Sequence, residues 1–307
     1  MSSEQLLPDK NKIENEVINR GFKRISLTVK GFQNPLALWF WKTPSSVPSK
    51  GNILLLHGGS YSCLSVFDLS ESALIKEGYS LFEALAKTGY DVYGLDLGGY
   101  GFSSGIEPKT IGDFDKQVEA AVAYISRDKK TLSLIGWSFG AHLAARAASS
   151  QMNIITNAIL WGGFWGGGIK GLPEIIRRIP SNLPSRKINT EQHAGSDFQT
   201  VGTFDPKVKS AVVQRSLTID PTCPSLSLSE VKNAPLHFPE KIKSSLLVIH
   251  GEYDHIAQPE DWSEYVSKVN VSKKKHIIFK KTDHNCQHGL RRKEFVQELN
   301  DFITGRN

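Results

Sequence analysis

Short apolar runs alternate with stretches of helical spacing along most of this chain, and nearly every run stops at a turn bearing glycine or a chemically active side chain. The runs lie at 52–56, 91–97, 131–135, 158–161, 245–249 and 276–279. Each is strand-sized, and those at 52–56 and 91–97 suit strands buried on both faces of a parallel sheet. Between them, 80–88, 111–126, 138–149, 261–269 and 294–303 carry apolar residues three and four apart, such as Phe114, Val118, Ala121, Val122 and Ile125. Residues 22–30 and 36–42 read as two further strands joined by a turn. This order predicts an α/β fold: a mostly parallel central sheet with helices on both faces. Ligands of such sheets bind beyond the carboxyl ends of the strands, so the segments just after each strand should carry the chemistry.

The rhythm fails between residues 162 and 243, which hold eight of the fourteen prolines. So long a stretch inside a compact domain is expected to be an inserted cap or lid. The expected division is therefore a core of residues 1–161 and 244–307 and a cap of residues 162–243.

Composition narrows the function. The 307 residues carry a net charge of +6, with 22% charged and 39% hydrophobic residues. That balance excludes a disordered chain. The basic runs at 273–275 and 291–293 are short and read as solvated faces, so no nucleic-acid partner is expected. No apolar run approaches the ~20 residues of a membrane span. Residues 1–20 are polar, without a signal-peptide core. Three cysteines (Cys63, Cys223 and Cys286), with no CxxC pair, point to a reducing, cytoplasmic setting. Gly99–Gly105 lacks dinucleotide-binding spacing, no Walker lysine follows a glycine loop, and no HExxH occurs; no cofactor and no metal are expected.

The turns themselves suggest a reaction. After 131–135 comes Gly136-Trp137-Ser138-Phe139-Gly140, a G-x-S-x-G between strand and helix. Such a turn lifts the serine hydroxyl to the N-terminus of a helix, where a developing anion is favoured. After 52–56 comes His57-Gly58-Gly59-Ser60. The N–H groups of Gly59 and Phe139 are candidate oxyanion donors, and His57 is expected to brace the loop. A serine becomes nucleophilic when a carboxylate-oriented histidine takes its proton. Asp254 and His284 follow the later strands in the order Ser, Asp, His. His288 rivals His284, Asp68 and Asp96 rival Asp254, and Asp283 and Cys286 read as neighbours.

These residues resemble the α/β-hydrolase superfamily from about residue 22 to 304. The resemblance rests on Leu-Leu-Leu-His57-Gly58-Gly59, Leu95-Asp96-Leu97-Gly98-Gly99-Tyr100-Gly101-Phe102-Ser103, Gly136-Trp-Ser-Phe-Gly140, Gly251-Glu-Tyr-Asp254 and His284. It implies Ser138 as nucleophile, His284 as base, Asp254 as acid, and a mainly helical cap between the sixth and seventh core strands. The chain departs from the family at Thr282-Asp-His-Asn-Cys-Gln-His288, where a glycine-containing turn usually precedes the histidine.

A serine nucleophile points to acyl transfer to water. The expected substrate is a carboxylic ester or lactone of moderately large, apolar character, a macrocyclic lactone included. A thioester, a C–C bond, an acyl acceptor other than water, or a weakly catalytic ligand-binding receptor on the same fold are the alternatives. Ser60, Trp137, Phe164, Trp165 and Phe204 are the expected substrate-binding residues, with Phe198 and Phe238 as further cap aromatics. His193 and Asp197 are read as surface residues that would matter if they met a polar substrate group.

Overall fold

In the computed structural model, residues 9–69, 78–103, 105–150 and 153–306 are described. Eight strands form the central sheet: β1 (Lys23–Leu27), β2 (Leu36–Trp41), β3 (Gly51–Leu56), β4 (Tyr90–Leu95), β5 (Leu132–Trp137), β6 (Ile155–Trp161), β7 (Ser245–Gly251) and β8 (Lys274–Phe279). Their order across the sheet is β1-β2-β4-β3-β5-β6-β7-β8. β2 runs antiparallel to both neighbours, and the remaining pairs are parallel. Parallel strands need covered faces, and β3 and β5 are buried along their whole length.

Side chains of a strand alternate between faces, so each run feeds two cores. Leu54, Leu56, Leu134 and Leu160 join one core with helices α4 (Ile111–Ile125), α5 (Phe139–Ser149) and α10 (Pro259–Lys268). Ile53, Leu55, Ile135 and Ile159 join the other with α1 (Lys10–Arg20), α3 (Leu81–Lys87) and α11 (Arg292–Thr304). α1 is absent from the sequence expectation. It buries only Ile13 and Val17, and Asp9 caps it by accepting from the Asn11 N–H at 2.9 Å. Arg20 at its end is held by Asp68 at 2.9 Å.

The register sets the site. Leu56 stands beside Gly136, and Trp161 beside both Trp137 and Ile249. The turns after β3, β5, β6 and β7 therefore open on one edge. Between β6 and β7 the chain leaves the sheet for residues 162–243. There it forms α6 (Glu174–Arg177), α7 (Glu191–Ala194), α8 (Pro206–Ile219) and α9 (Leu226–Val231). A small antiparallel ladder pairs Arg186–Ile188 with Thr222–Pro224. The short helix α2 (Cys63–Phe67) lies just past the β3 turn, wholly buried. Residues 70–77, between α2 and α3, lie outside the described residues. Among the described residues, no helix is long and apolar enough to cross a membrane.

Candidate active site

Ser138 sits between β5 and α5 with φ 54° and ψ −116°. A non-glycine residue in such a conformation stores of order 1–3 kcal/mol, which the surroundings must hold. They do so by close packing on either side. A Cβ on Gly136 would lie 2.0 Å from the Gly140 carbonyl oxygen, and a Cβ on Gly140 would lie 2.2 Å from that of Leu56. Only glycines let strand and helix meet this tightly. The Ser138 N–H donates to the Trp161 carbonyl at 2.9 Å, which ties the turn to β6. The hydroxyl is thereby presented, half-buried, at the start of α5.

His284 stands against this turn. Its Nδ1 donates to Asp254 Oδ2 at 2.9 Å, and its ring lies 5.0 Å from that of Trp137. The Trp137 indole N–H donates to the His284 carbonyl at 3.3 Å. Gly162, at φ +61°, passes so close that a Cβ there would lie 3.0 Å from His284 Cε1. The other oxygen of Asp254, Oδ1, accepts from the N–H groups of Ile256 and Ala257 at 2.9 and 3.2 Å. Burial of Asp254 opposes its charge, but His284 and the Ile256 N–H outweigh it and hold the carboxyl below its usual range. For His284, burial would lower the pKa; Asp254, Asp197 and Asp283 overcome it and push the imidazole up to about 9.

The neighbouring glycine turn is set by side chains. His57 Nε2 accepts from the Leu97 N–H at 3.0 Å, so its Nδ1–H donates to the Gly58 carbonyl at 2.8 Å. Burial keeps this histidine neutral, down at about 4. Carbonyl and N–H point opposite ways in a trans peptide, so fixing Gly58 O also aims the Gly59 N–H. The Gly59 carbonyl accepts from the Tyr100 and Ser227 hydroxyls at 3.0 and 2.9 Å. Phe139 opens α5, where the first N–H groups have no intrahelical partner.

The rivals are engaged elsewhere. Asp68 pairs with Arg20 and with Arg215 at 3.1 Å. Asp96 accepts from the Trp39 indole and the N–H groups of Cys63 and Phe102, each at 3.0 Å. Desolvation pushes it up to about 7. His288 is buried against Phe198, their rings 6.3 Å apart. Asp283 Oδ2 accepts from the Gln199 and Thr200 N–H groups and the Thr203 hydroxyl. Cys286 is buried, its thiol pushed up to about 12 by desolvation.

A cavity of about 360 Å³ lies over Ser138 and His284. Of the expected substrate-binding residues, Ser60, Trp137 and Phe164 line it. Trp165 and Phe204 do not, which corrects that expectation. Trp165 turns away to donate to the His237 carbonyl at 3.2 Å and to pack on Tyr265. Phe204 packs edge-on against Phe198, beside a small cluster with Val208 and Val212. Phe238 is exposed beneath Lys241. His193 and Asp197, expected at the surface, are half-buried in the cavity wall, as is Lys187. Ile176, Ile179 and His255 also line it and carry no motif that a sequence could flag.

Fold and turns together define the class, and the chain belongs to the α/β-hydrolase fold family, whose model matches residues 51–288. No curated protein is significantly similar in sequence. Among solved structures, the thermophilic esterase from Thermogutta terrifontis, with malate bound, superposes with a TM-score of 0.65 at 16% identity, over 92% of this chain and 98% of that one. Est1E from Butyrivibrio proteoclasticus gives 0.59 at 14% identity, over 92% and 98%. The thioesterase domain from the curacin biosynthetic pathway gives 0.59 at 19% identity, over 92% and 99%. At these identities the likeness concerns the fold.

Proposed function

We propose that this protein is a serine hydrolase that cleaves a carboxylic ester or lactone through an acyl-enzyme. The observation that carries this reading is the meeting of two features over one cavity. Ser138 is held at a strained strand–helix turn, and His284, fixed by Asp254, opens on the same space. In this reading the Ser138 hydroxyl attacks the acyl carbon while His284 Nε2 takes its proton. Asp254 keeps the Nδ1–H tautomer and stabilises the imidazolium. The N–H groups of Gly59 and Phe139 receive the oxyanion. His284 returns the proton to the departing alcohol, and water then releases the acid by the same steps.

Residues 162–243 act as the cap in this reading, and the rest of the chain is the core. The substrate is a small molecule with a sizeable apolar part, because Phe164, Ile176 and Ile179 furnish one wall of the cavity. Three buried, unpaired cysteines fit a reducing compartment such as the cytoplasm.

A fluorophosphonate probe should label the wild-type protein and not Ser138→Ala. The wild type should also turn over p-nitrophenyl esters faster than acyl-CoA thioesters. Labelling that survives in Ser138→Ala, or a folded wild type that neither labels nor cleaves any ester, overturns the proposal.

A further inference from the structure

Two groups of residues of different chemistry line the cavity. The apolar wall continues the core packed on α5: Phe164, Ile176 and Val231 belong to that core, and Phe164 meets His142 of α5 at 4.8 Å. The polar wall is built from Tyr61, Lys187, His193, Asp197 and His255. Its members form a directed chain. Lys187 can only donate, and its Nζ lies 2.9 Å from His193 Nε2. His193, kept below its ordinary range by burial and by Lys187, is neutral and so carries its proton on Nδ1. That proton is donated to the Tyr61 hydroxyl oxygen at 2.9 Å. The Tyr61 O–H and two N–H bonds of Lys187 remain to be given. Among the described residues, no carboxylate is ion-paired with Lys187. Asp197, on the same wall, supplies an acceptor.

This set selects among ligands. A carboxylate would suit Lys187 but meet the charge of Asp197. An ammonium would suit Asp197 and meet Lys187. A neutral polyhydroxy group accepts from Lys187 and Tyr61 and donates to Asp197, satisfying all three. Position adds a second argument. The His255 ring lies 5.7 Å from that of His284, and the charge of Asp197 is felt at His284. In the proposed reaction the departing alcohol is protonated by His284, so the alcohol lies on the polar side and the acyl chain on the apolar side.

We infer that the substrate is an apolar acyl ester of a neutral polyhydroxy alcohol such as glycerol, with Tyr61, Lys187 and Asp197 binding the alcohol. This inference rests on Ser138 and His284 acting as proposed above. Four octanoyl esters with one acyl chain and different alcohols test it: 1-monooctanoylglycerol, ethyl octanoate, octanoylglycolate and octanoylcholine. In the wild type, kcat/KM for the glyceryl ester should exceed that for the ethyl ester by roughly tenfold, the worth of one charge-assisted hydrogen bond. It should also exceed that for either charged ester. Tyr61→Phe and Lys187→Met should each lower the glyceryl-to-ethyl ratio several-fold. A wild-type ratio near one, a preference for the glycolate or choline ester, or a ratio unchanged in both variants overturns the inference. Fluorophosphonate labelling separates the two levels. A protein that labels and cleaves ethyl octanoate without glyceryl preference refutes only the alcohol assignment; one that neither labels nor cleaves refutes the serine hydrolase reading and this inference with it.

Discussion

Replacing Asp254 by Asn tests the proposed mechanism at its most constrained point. Oδ1 is pinned by the Ile256 and Ala257 N–H groups, which an amide NH₂ cannot accept from. The Asn carbonyl must therefore take the Oδ1 position, and the NH₂ must face His284 Nδ1. An N–H facing Nδ1 forces the imidazole proton onto Nε2, where the serine proton has to arrive. The wrong tautomer costs about 10⁴ in kcat in a well-studied serine protease, or about 5.4 kcal/mol. The fold should tolerate the change, since shape and backbone hydrogen bonds are kept.

The same variant alters the pH dependence. In the wild type, kcat/KM should climb with pH and level off near 9, where His284 becomes neutral. Without the Asp254 charge, burial weighs more and the midpoint should move down. Stability follows the opposite course in the wild type. Because the folded pKa of about 9 lies above the ordinary 6.5, this group stabilises the fold fully below pH 6.5. The contribution, of order 3 kcal/mol, is lost as pH rises through 9. Rates on p-nitrophenyl octanoate and thermal melts, both from pH 6 to 10, read these effects. An Asn variant that keeps a tenth of the wild-type kcat, or the same rate midpoint, refutes the role given to Asp254.

Four other outcomes are expected. His284→Ala should lose several powers of ten in ester turnover, whereas His288→Ala should chiefly lower Tm; a larger rate loss in the second reverses the assignment. Phe164→Ala should raise KM for long acyl chains more than for short ones, at roughly 25 cal/mol per Å² of burial lost. Trp165→Ala should cost about 3–5 kcal/mol of stability and leave chain-length preference unchanged, by urea melts and a C4–C12 ester series. Finally, His250 and His276 meet Nε2 to Nε2 at 3.0 Å, and burial holds His276 down at about 4. Protonation is disfavoured in the fold, so their contribution is present above pH 6.5 and lost as pH falls towards 4. His276→Gln should flatten the fall in urea midpoint between pH 7 and 5, and an unchanged slope refutes it.

Where sequence and structure agree, each residue's surroundings are fixed by its own segment. The runs of β3 and β5 are buried on both faces, so they read as strands without reference to partners. The G-x-S-x-G turn announces itself because close packing tolerates nothing but glycine at Gly136 and Gly140. α1 was not legible because it offers only Ile13 and Val17 to the core, and its polar contacts reach distant segments: Lys10 to Gly101, Glu16 to Arg215, and Arg20 to Asp68 and Glu83. His284 and His288 differ in the one thing spacing does not encode, which of them reaches Asp254. Trp165 and Phe204 are apolar in an apolar-walled region, and composition does not say which way a ring turns. Lys187, His193 and Asp197 look like solvent-facing residues because polarity is the same whether a side chain faces water or a cavity.

In the proposed reading, the contacts between residues 162–243 and the turn after β3 couple the cap to the oxyanion donor. Asp220, at the end of α8, accepts from the Ser62 N–H and hydroxyl, the Ser65 hydroxyl and the Gly101 N–H. Asn189 donates to the Ser60 carbonyl at 3.0 Å, Ser227 to that of Gly59 at 2.9 Å, and Arg215 to that of Leu64 at 3.0 Å. Four points of the 162–243 segment thus hold the chain that directly follows the proposed oxyanion donor. A buried carboxylate with several donors is expensive to withdraw, since each donor would be left without a partner. Wholesale lifting of α8 and the small ladder would therefore displace Gly59 and its neighbours along with the cap. Substrate entry by such lifting would dismantle the proposed oxyanion site, so in this reading α8 and the small ladder serve as a fixed wall and a brace. Cap residues then fall into two kinds. In the proposed reading, Phe164 and Ile176 present surface to the substrate and should bear on KM, while Asp220, Asn189 and Ser227 hold the turn proposed to stabilise the transition state and should bear on kcat.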